Sequence, residues 1–358
     1  MAERQITKES QARTVRGWML GLHATHIIDI GGRLGYFAEL RRHGGTATAQ
    51  ELASALALDP WRTEVWCRAA CTVGILGYAD GKGFTFAPFM DELLGEESPE
   101  LLTAHVLASL SRDFPTYPEA FRAGTLKTFH DHDADFFFQQ SRISALRASE
   151  IVAAVRKLPA AEARLSAGGK VMDVGSGSGT VLARFAQEFP TCQVVGIEPL
   201  PYFVELSRRL LHERGLEKQV HVEPVGAETI AFDQEFDLIT LVQVFHELPD
   251  QKKGEILRRC HQSLKPGGVL LIVDRCSPET GADLRDRRFT MSILEQWFEV
   301  TWGNIVNTRS EILQMLNATG FTVTLENPDM IPTYWSFAAE KASNRAAAPS
   351  AWHGRLVN

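Results

Sequence analysis

The sequence predicts an α/β protein: a Rossmann-like domain with a mostly parallel sheet and an antiparallel edge, preceded by a mainly helical, winged-helix-like domain. Three observations carry this. Between residues 166 and 343, short apolar runs alternate with helical periods, the mark of a parallel doubly wound sheet. One of those runs ends in a glycine-rich turn, Gly175-Ser-Gly177-Ser-Gly179, that opens a helix. Between residues 46 and 86, two capped helices precede two short aromatic strands, the order of a helix-turn-helix followed by a wing.

A chain of 358 residues suggests two domains, each able to bury a core. The expected division is a winged-helix-like dimerisation domain over 1–95, a helical linker or lid over 96–165, the sheet domain over 166–343 and a mobile tail over 344–358. In the first zone, Thr48-Ala-Gln-Glu51 is a capping box, and Asp59-Pro60 starts a second helix running to about Val73. Tyr78 to Phe86 supplies the paired strands. In the third zone the strands are expected at Lys170–Val174, Gln193–Ile197, Val220–Pro224, Phe236–Val242 and Val269–Val273. Phe321–Leu325 and Trp335–Ala338 are expected to close one edge as a hairpin.

The composition excludes several classes of function. The net charge is −7, which opposes broad nucleic-acid binding. Between Thr46 and Glu92 there are three basic residues (Arg62, Arg68, Lys82) against six acids (Glu51, Asp59, Glu64, Asp80, Asp91, Glu92). That winged helix lacks the basic footprint that phosphates require. No apolar run approaches the roughly 18–20 residues needed to cross a bilayer, and the polar N-terminus does not read as a signal peptide. The cysteines at 67, 71, 192, 260 and 276 are odd in number and form no CxxC pair, so buried thiols in a reducing cytoplasm are expected. The stretch His130-Asp-His132-Asp-Ala-Asp135 reads as a solvated loop, and no metal is expected there.

The glycine turn lies in Val171-Met-Asp173-Val-Gly175-Ser176-Gly177-Ser-Gly179-Thr180. An acid two residues before the first glycine would repel a pyrophosphate. It suits a ligand carrying an amino group and a sulfonium, as S-adenosylmethionine does. The next strand ends at Glu198-Pro199, 25 residues after Asp173, and an acid at that strand tip can accept both ribose hydroxyls.

A second signal is Phe236-Asp-Leu-Ile-Thr-Leu-Val242-Gln243-Val-Phe-His246-Glu247-Leu-Pro-Asp250. The strand ends at a polar loop carrying His246, and ligands in open α/β sheets lie at the carboxyl ends of strands. Downstream, Leu264-Lys-Pro-Gly-Gly leads into a strand ending at Asp274.

Together these motifs resemble the class I S-adenosylmethionine-dependent methyltransferases, specifically small-molecule O-methyltransferases with an N-terminal winged-helix dimerisation domain. The resemblance implies that Gly175, Ser176, Gly177 and Gly179 surround the methionine part. Asp173 binds or positions the amino end, and Glu198-Pro199 holds the ribose. Gly226, Ala227 and Glu228 lie on the adenine side, and Val242 and Gln243 border the cofactor. It implies that His246 is the general base, that Asp274 orients it, and that the chain forms a homodimer acting on a small molecule. A neutral imidazole suits proton removal from a hydroxyl near pH 7.

Three departures keep other outcomes open. Ala227 stands where the family has an aspartate, and Val242 where many relatives have a lysine. Asn307 lies near the position of a second supporting acid. These permit C- or N-methylation, including metal-assisted methylation of an α-keto acid, or other chemistry that consumes S-adenosylmethionine. A cofactor-responsive DNA-binding regulator and a nicotinamide oxidoreductase are further alternatives. For the acceptor pocket, the resemblance points to Phe289, Met291, Leu294, Trp297 and Trp302, with Phe114, Tyr117 and Phe121 forming an opposite wall. His261, mid-helix among polar residues, is expected at the surface.

Overall fold

The computed structural model describes residues 6–125 and 127–341. The expected tail, 344–358, lies outside the described residues. The chain forms two compact units: one runs to Pro115 and adds Phe138–Ile143, and the other comprises Thr116–Phe137 and the chain from Ser144. The division falls later than the expected boundary at 95. The helix Pro99–Leu110 packs on the long helix Lys8–Arg33, and His105 Nδ1 pairs with Asp29 Oδ1 at 2.7 Å.

In the first unit, the capping box of Thr48 and Glu51 starts the helix Ala49–Leu56, and Asp59 caps Pro60–Thr72 with proline in its first turn. Both follow from side-chain oxygens satisfying the orphan amides of a helix start. The strands β1 (Thr46–Ala47), β2 (Leu76–Ala79) and β3 (Gly83–Phe86) form an antiparallel sheet in the order β1-β3-β2. Tyr36, Phe37, Leu52 and Trp66 form its core, with the Tyr36 and Trp66 rings stacked 4.2 Å apart.

The second unit is built on seven strands: β4 (Lys170–Val174), β5 (Gln193–Ile197), β6 (Val220–Glu223), β7 (Phe236–Val242), β8 (Leu264–Asp274), β9 (Phe321–Ile331) and β10 (Tyr334–Lys341). Their order is β6-β5-β4-β7-β8-β10-β9. The first five run parallel, and β10 is antiparallel to both β8 and β9. The parallel strands read as unbroken apolar runs because helices cover both faces, and a separate apolar core fills each side. Strand order reverses between β4 and β7, which opens a crevice at their carboxyl ends.

Two expectations need correction. β8 begins at Leu264, five residues before the expected start, so the Lys-Pro-Gly-Gly segment belongs to the strand. His261 is half-buried, its ring edge-on to Phe321 at 5.1 Å. The helix Lys253–Ser263 turns that position toward the start of β9, and burial pushes the imidazole pKa down.

Candidate active site

The switch-point crevice joins two loops. The first follows β4. Gly175 and Gly179 adopt φ of +72° and +76°, a region costly for any residue with a Cβ. Space forbids a Cβ as well: at Gly175 it would strike Val244, and at Gly179 it would strike Ser207. At Gly177 a Cβ would meet nothing within 4 Å, so that glycine borders open space. Glu198 ties the loop down. Its Oε2 accepts from Gly177 N at 2.8 Å, and its Oε1 accepts from Leu200 N at 2.9 Å.

Asp173 is buried, and Thr240, its register partner on β7, donates to it at 2.5 Å. Burial pushes the Asp173 carboxyl up to about 7, against the Thr240 hydrogen bond and with Glu198 adding to the rise. Burial also raises Glu198, against the two backbone amides it accepts from. Pro199 is exposed beside it. Gly226 precedes a short turn, Ala227–Thr229, in which Ala227 is buried. The carboxylate of Glu228 folds back over Gly226 and lies 4.0 Å from Lys252 Nζ.

The second loop follows β7. Val242 packs on the core, and Gln243 turns at φ +52°, its Oε1 accepting from the Tyr334 hydroxyl at 3.0 Å. His246 is 5% exposed and Asp274 1%, so their interaction is sheltered from solvent screening. Asp274 Oδ1 lies 2.8 Å from His246 Nδ1, and Oδ2 accepts from His246 N at 3.1 Å. An ionised carboxylate only accepts, so Nδ1 carries the proton and the lone pair of a neutral imidazole sits on Nε2. Burial lowers the His246 pKa, but the charge and hydrogen bond of Asp274 outweigh it, and the net position is well above 6.5. Burial raises Asp274 in turn, and the imidazolium opposite it carries the balance below the ordinary carboxylate range.

Two acids unmarked by the sequence reading complete the surroundings of Nε2. Glu247 Oε1 lies 3.9 Å away and Glu299 Oε1 3.8 Å. Burial pushes Glu247 up to about 8 and Glu299 up to about 7; in each case the charge of His246 opposes the rise. Glu247 was legible as the neighbour of His246. Glu299 had no such signal, because it ends an ordinary amphipathic helix, Thr290–Glu299. Asn307 faces another partner: its Oδ1 accepts from Lys253 Nζ at 2.6 Å, and that fully buried ammonium also donates to Ile305 O at 3.0 Å.

The expected acceptor wall is only partly assembled. Tyr117 and Trp297 meet edge-on at 5.2 Å. Trp302 instead joins Phe129, His132, Phe136 and Phe298, with His132 at 4.7 Å. Phe289 is buried, while Phe121, Met291 and Leu294 are exposed. Phe114 belongs to the other compact unit. His132 stacks on Phe136 at 4.0 Å, so this part of the polar stretch packs on rings, contrary to a solvated loop. Among the described residues, no group of three or more His, Cys, Asp or Glu has an arrangement that could hold a metal.

The donor set of this crevice fits S-adenosylmethionine. Asp173 and Glu198 are buried acids and Glu247 a half-buried one, and all three have raised pKa values, a state that a cationic ligand relieves. Ser176 Oγ is buried with no hydrogen-bond partner among the described residues, and Gly177 borders open space.

Comparison with known proteins agrees. Residues 172–270 match the family described as "Methyltransferase domain". The chain is 31% identical over 185 residues to aclacinomycin 10-hydroxylase RdmB of Streptomyces purpurascens, covering 51% of this chain and 48% of that protein. It spans about half the length of the curated relatives it matches. Among solved structures, the mitomycin 7-O-methyltransferase MmcR superposes with a TM-score of 0.75 at 22% identity, over 94% of this chain and 99% of that one. Human N-acetylserotonin methyltransferase in complex with SAM gives 0.70 at 16% identity, over 96% and 100%. The open sheet and its two crevice loops define a Rossmann-like fold. The chain shares that fold with these S-adenosylmethionine-dependent methyltransferase structures, and its residues 172–270 match a methyltransferase domain.

Proposed function

We propose that the protein transfers a methyl group from S-adenosylmethionine to an oxygen of a small molecule, with His246 as general base and Asp274 as the acid that orients it. One observation carries the reading: His246 commits Nδ1 to Asp274 and leaves Nε2 unbonded within the crevice loop. Bound S-adenosylmethionine supplies a methyl on a sulfonium that leaves as a neutral thioether. Asp173, Glu198 and the glycine loop would hold it, with Ser176, Gly226, Ala227, Glu228, Val242 and Gln243 around them. His246 Nε2 takes the hydroxyl proton as the oxygen attacks, and Asp274 stabilises the resulting imidazolium. Transfer to small-molecule oxygen is supported by the likeness to MmcR, described as a mitomycin 7-O-methyltransferase.

The likeness to a protein named as a hydroxylase favours a second reading, other chemistry with the same cofactor. C- or N-methylation is a third. Incubation with S-adenosylmethionine and a panel of hydroxylated aromatics, followed by mass and NMR analysis, separates them. O-methylation adds one CH2 at a hydroxyl and produces S-adenosylhomocysteine. A gain of one oxygen, or methyl at carbon or nitrogen, overturns the primary reading.

The first unit we read as a winged helix used for homodimerisation, in a cytoplasmic enzyme of secondary metabolism. The apolar exposed residues of the helix Lys8–Arg33 support the dimer. The acidic charge of the wing region opposes a DNA-binding role.

A further inference from the structure

His246 Nε2 is flanked by Glu299 Oε1 at 3.8 Å and Glu247 Oε1 at 3.9 Å. Both distances exceed a hydrogen bond, so each oxygen sits beside the space that an atom bound to Nε2 would occupy. Glu299 is the more rigidly held. It ends the helix Thr290–Glu299, and its Oε2 accepts from Asn304 Nδ2 at 2.7 Å. Asn304 N returns to Glu299 O at 3.0 Å. Gln296 fixes the same turn from the other side, donating to Asn304 O at 3.1 Å and accepting from Val306 N at 2.6 Å. Ile305 N, between them, donates to His246 O at 3.2 Å. One loop therefore sets the position of the base relative to Glu299.

His246 Nε2 and Glu299 Oε1 face each other at 3.8 Å, and neither makes a hydrogen bond among the described residues, although Glu299 is only 4% exposed. A carboxyl oxygen on a residue this sheltered gains from a donor that a ligand brings to it. Asp274 cannot serve, since Oδ1 and Oδ2 are both taken by His246 and Arg275 N. Glu295 is drawn to Arg275, 2.7 Å away.

We propose that Glu299 Oε1 is an acceptor-binding atom: it takes a hydrogen bond from a second hydroxyl or amino group adjacent to the oxygen held by His246 Nε2, so the enzyme selects acceptors with a vicinal pair of donors, of the catechol or ortho-aminophenol type. The inference rests on His246 being the base. The adjacent substituents of such a ring point to the same side, one for the imidazole and one for the carboxylate. A single hydroxyl would occupy Nε2 and leave Glu299 Oε1 without a donor. Glu299 is then a specificity-determining residue, with Asn304 and Gln296 as its positioning residues.

The test is calorimetric binding to the full-length protein saturated with S-adenosylhomocysteine, using naphthalene-2,3-diol, 3-amino-2-naphthol and 2-naphthol. The wild type is expected to bind the two paired-donor probes about tenfold more tightly than 2-naphthol, the size of one charge-assisted hydrogen bond. Glu299→Met is expected to erase that ratio and leave 2-naphthol unchanged. Glu299→Gln, which keeps an acceptor oxygen, is expected to retain about a threefold preference, and it serves if the methionine variant does not fold. Equal affinity for all three probes in the wild type, binding of none, or a preserved ratio in Glu299→Met overturns the assignment. Methyl transfer in the same samples separates the two claims. Paired-donor preference without a methylated product leaves Glu299 in place and removes the O-methyl reading. Equal methylation of diol and mono-ol does the reverse.

Discussion

His246 must be neutral to accept a proton, yet Asp274 holds its pKa well above 6.5 against the burial that lowers it. Activity on the free enzyme is therefore expected to rise with pH through an inflection above 6.5, read from the pH profile of kcat/KM. Asp274→Asn removes the charge that raises the value, so the inflection is expected to move down while the plateau falls. The sign for stability is opposite. The raised His246 pKa contributes stability that is fully present below about pH 6.5 and lost as pH rises through the folded value. Replacing the base itself is the sharper experiment. His246→Gln is expected to lower kcat by about 10²- to 10⁴-fold, with S-adenosylhomocysteine affinity unchanged in a binding titration. A variant retaining wild-type turnover would remove His246 from the mechanism. The acids add a further expectation. Glu198 adds to the raised pKa of Glu247, so the donor site and the base share one electrostatic field. Binding of a cationic donor analogue such as sinefungin is expected to lower the His246 midpoint, measured by imidazole NMR, more than S-adenosylhomocysteine does.

At the scale of elements, the crevice works because short segments fix one another. Gly175 after β4 touches Val244 in the turn that carries His246. Gly175→Ala is therefore expected to cost about 1–3 kcal/mol through its positive φ and to displace the catalytic turn through Val244. Chemical denaturation and loss of the thermal shift with S-adenosylhomocysteine read the two effects separately. Lys253 plays the matching part behind β7. Its ammonium joins the helix Lys253–Ser263 to Ile305 and Asn307, and burial brings its pKa down to about 8. Lys253→Met removes the donor of two buried oxygens and is expected to destabilise the protein by about 3 kcal/mol, seen as a lower denaturation midpoint. These pairings explain what could be read in advance. The strand ends near Asp173, Glu198, Gln243 and Asp274 were legible because buried parallel strands are apolar runs that stop at polar residues. Glu299, Lys253 and the separation of Trp302 from Trp297 were not. Their roles depend on how the segment from Thr290 to Thr308 turns back on the sheet, and no local periodicity encodes that turn.

The long helix Lys8–Arg33 bears on how the whole molecule exists in solution. From Lys8 to His23 none of its side chains is buried, and Val15, Trp18, Met19, Leu20 and Leu22 are exposed. Large apolar side chains gathered on sixteen residues exceed the scattered exposure normal for a monomer surface. A helix this long has little reason to persist alone in water, since most helical stability in proteins comes from burying an apolar face. Elsewhere in the unit the core is closed around Tyr36, Phe37 and Trp66, and side chains cap the starts of the helices Lys8–Arg33, Ala49–Leu56 and Pro60–Thr72. The exposed stretch is the longest run of this unit short of burial, and a two-fold interface can supply that burial by using one patch twice. The expected state is a homodimer, and Trp18→Glu with Met19→Glu is expected to shift it toward monomer in sedimentation-velocity experiments. Because association stabilises only the folded chain, the Tm of the wild type is expected to rise with protein concentration and that of the double variant to stay constant. A wild type that sediments as a monomer with a concentration-independent Tm would require another partner for this helix.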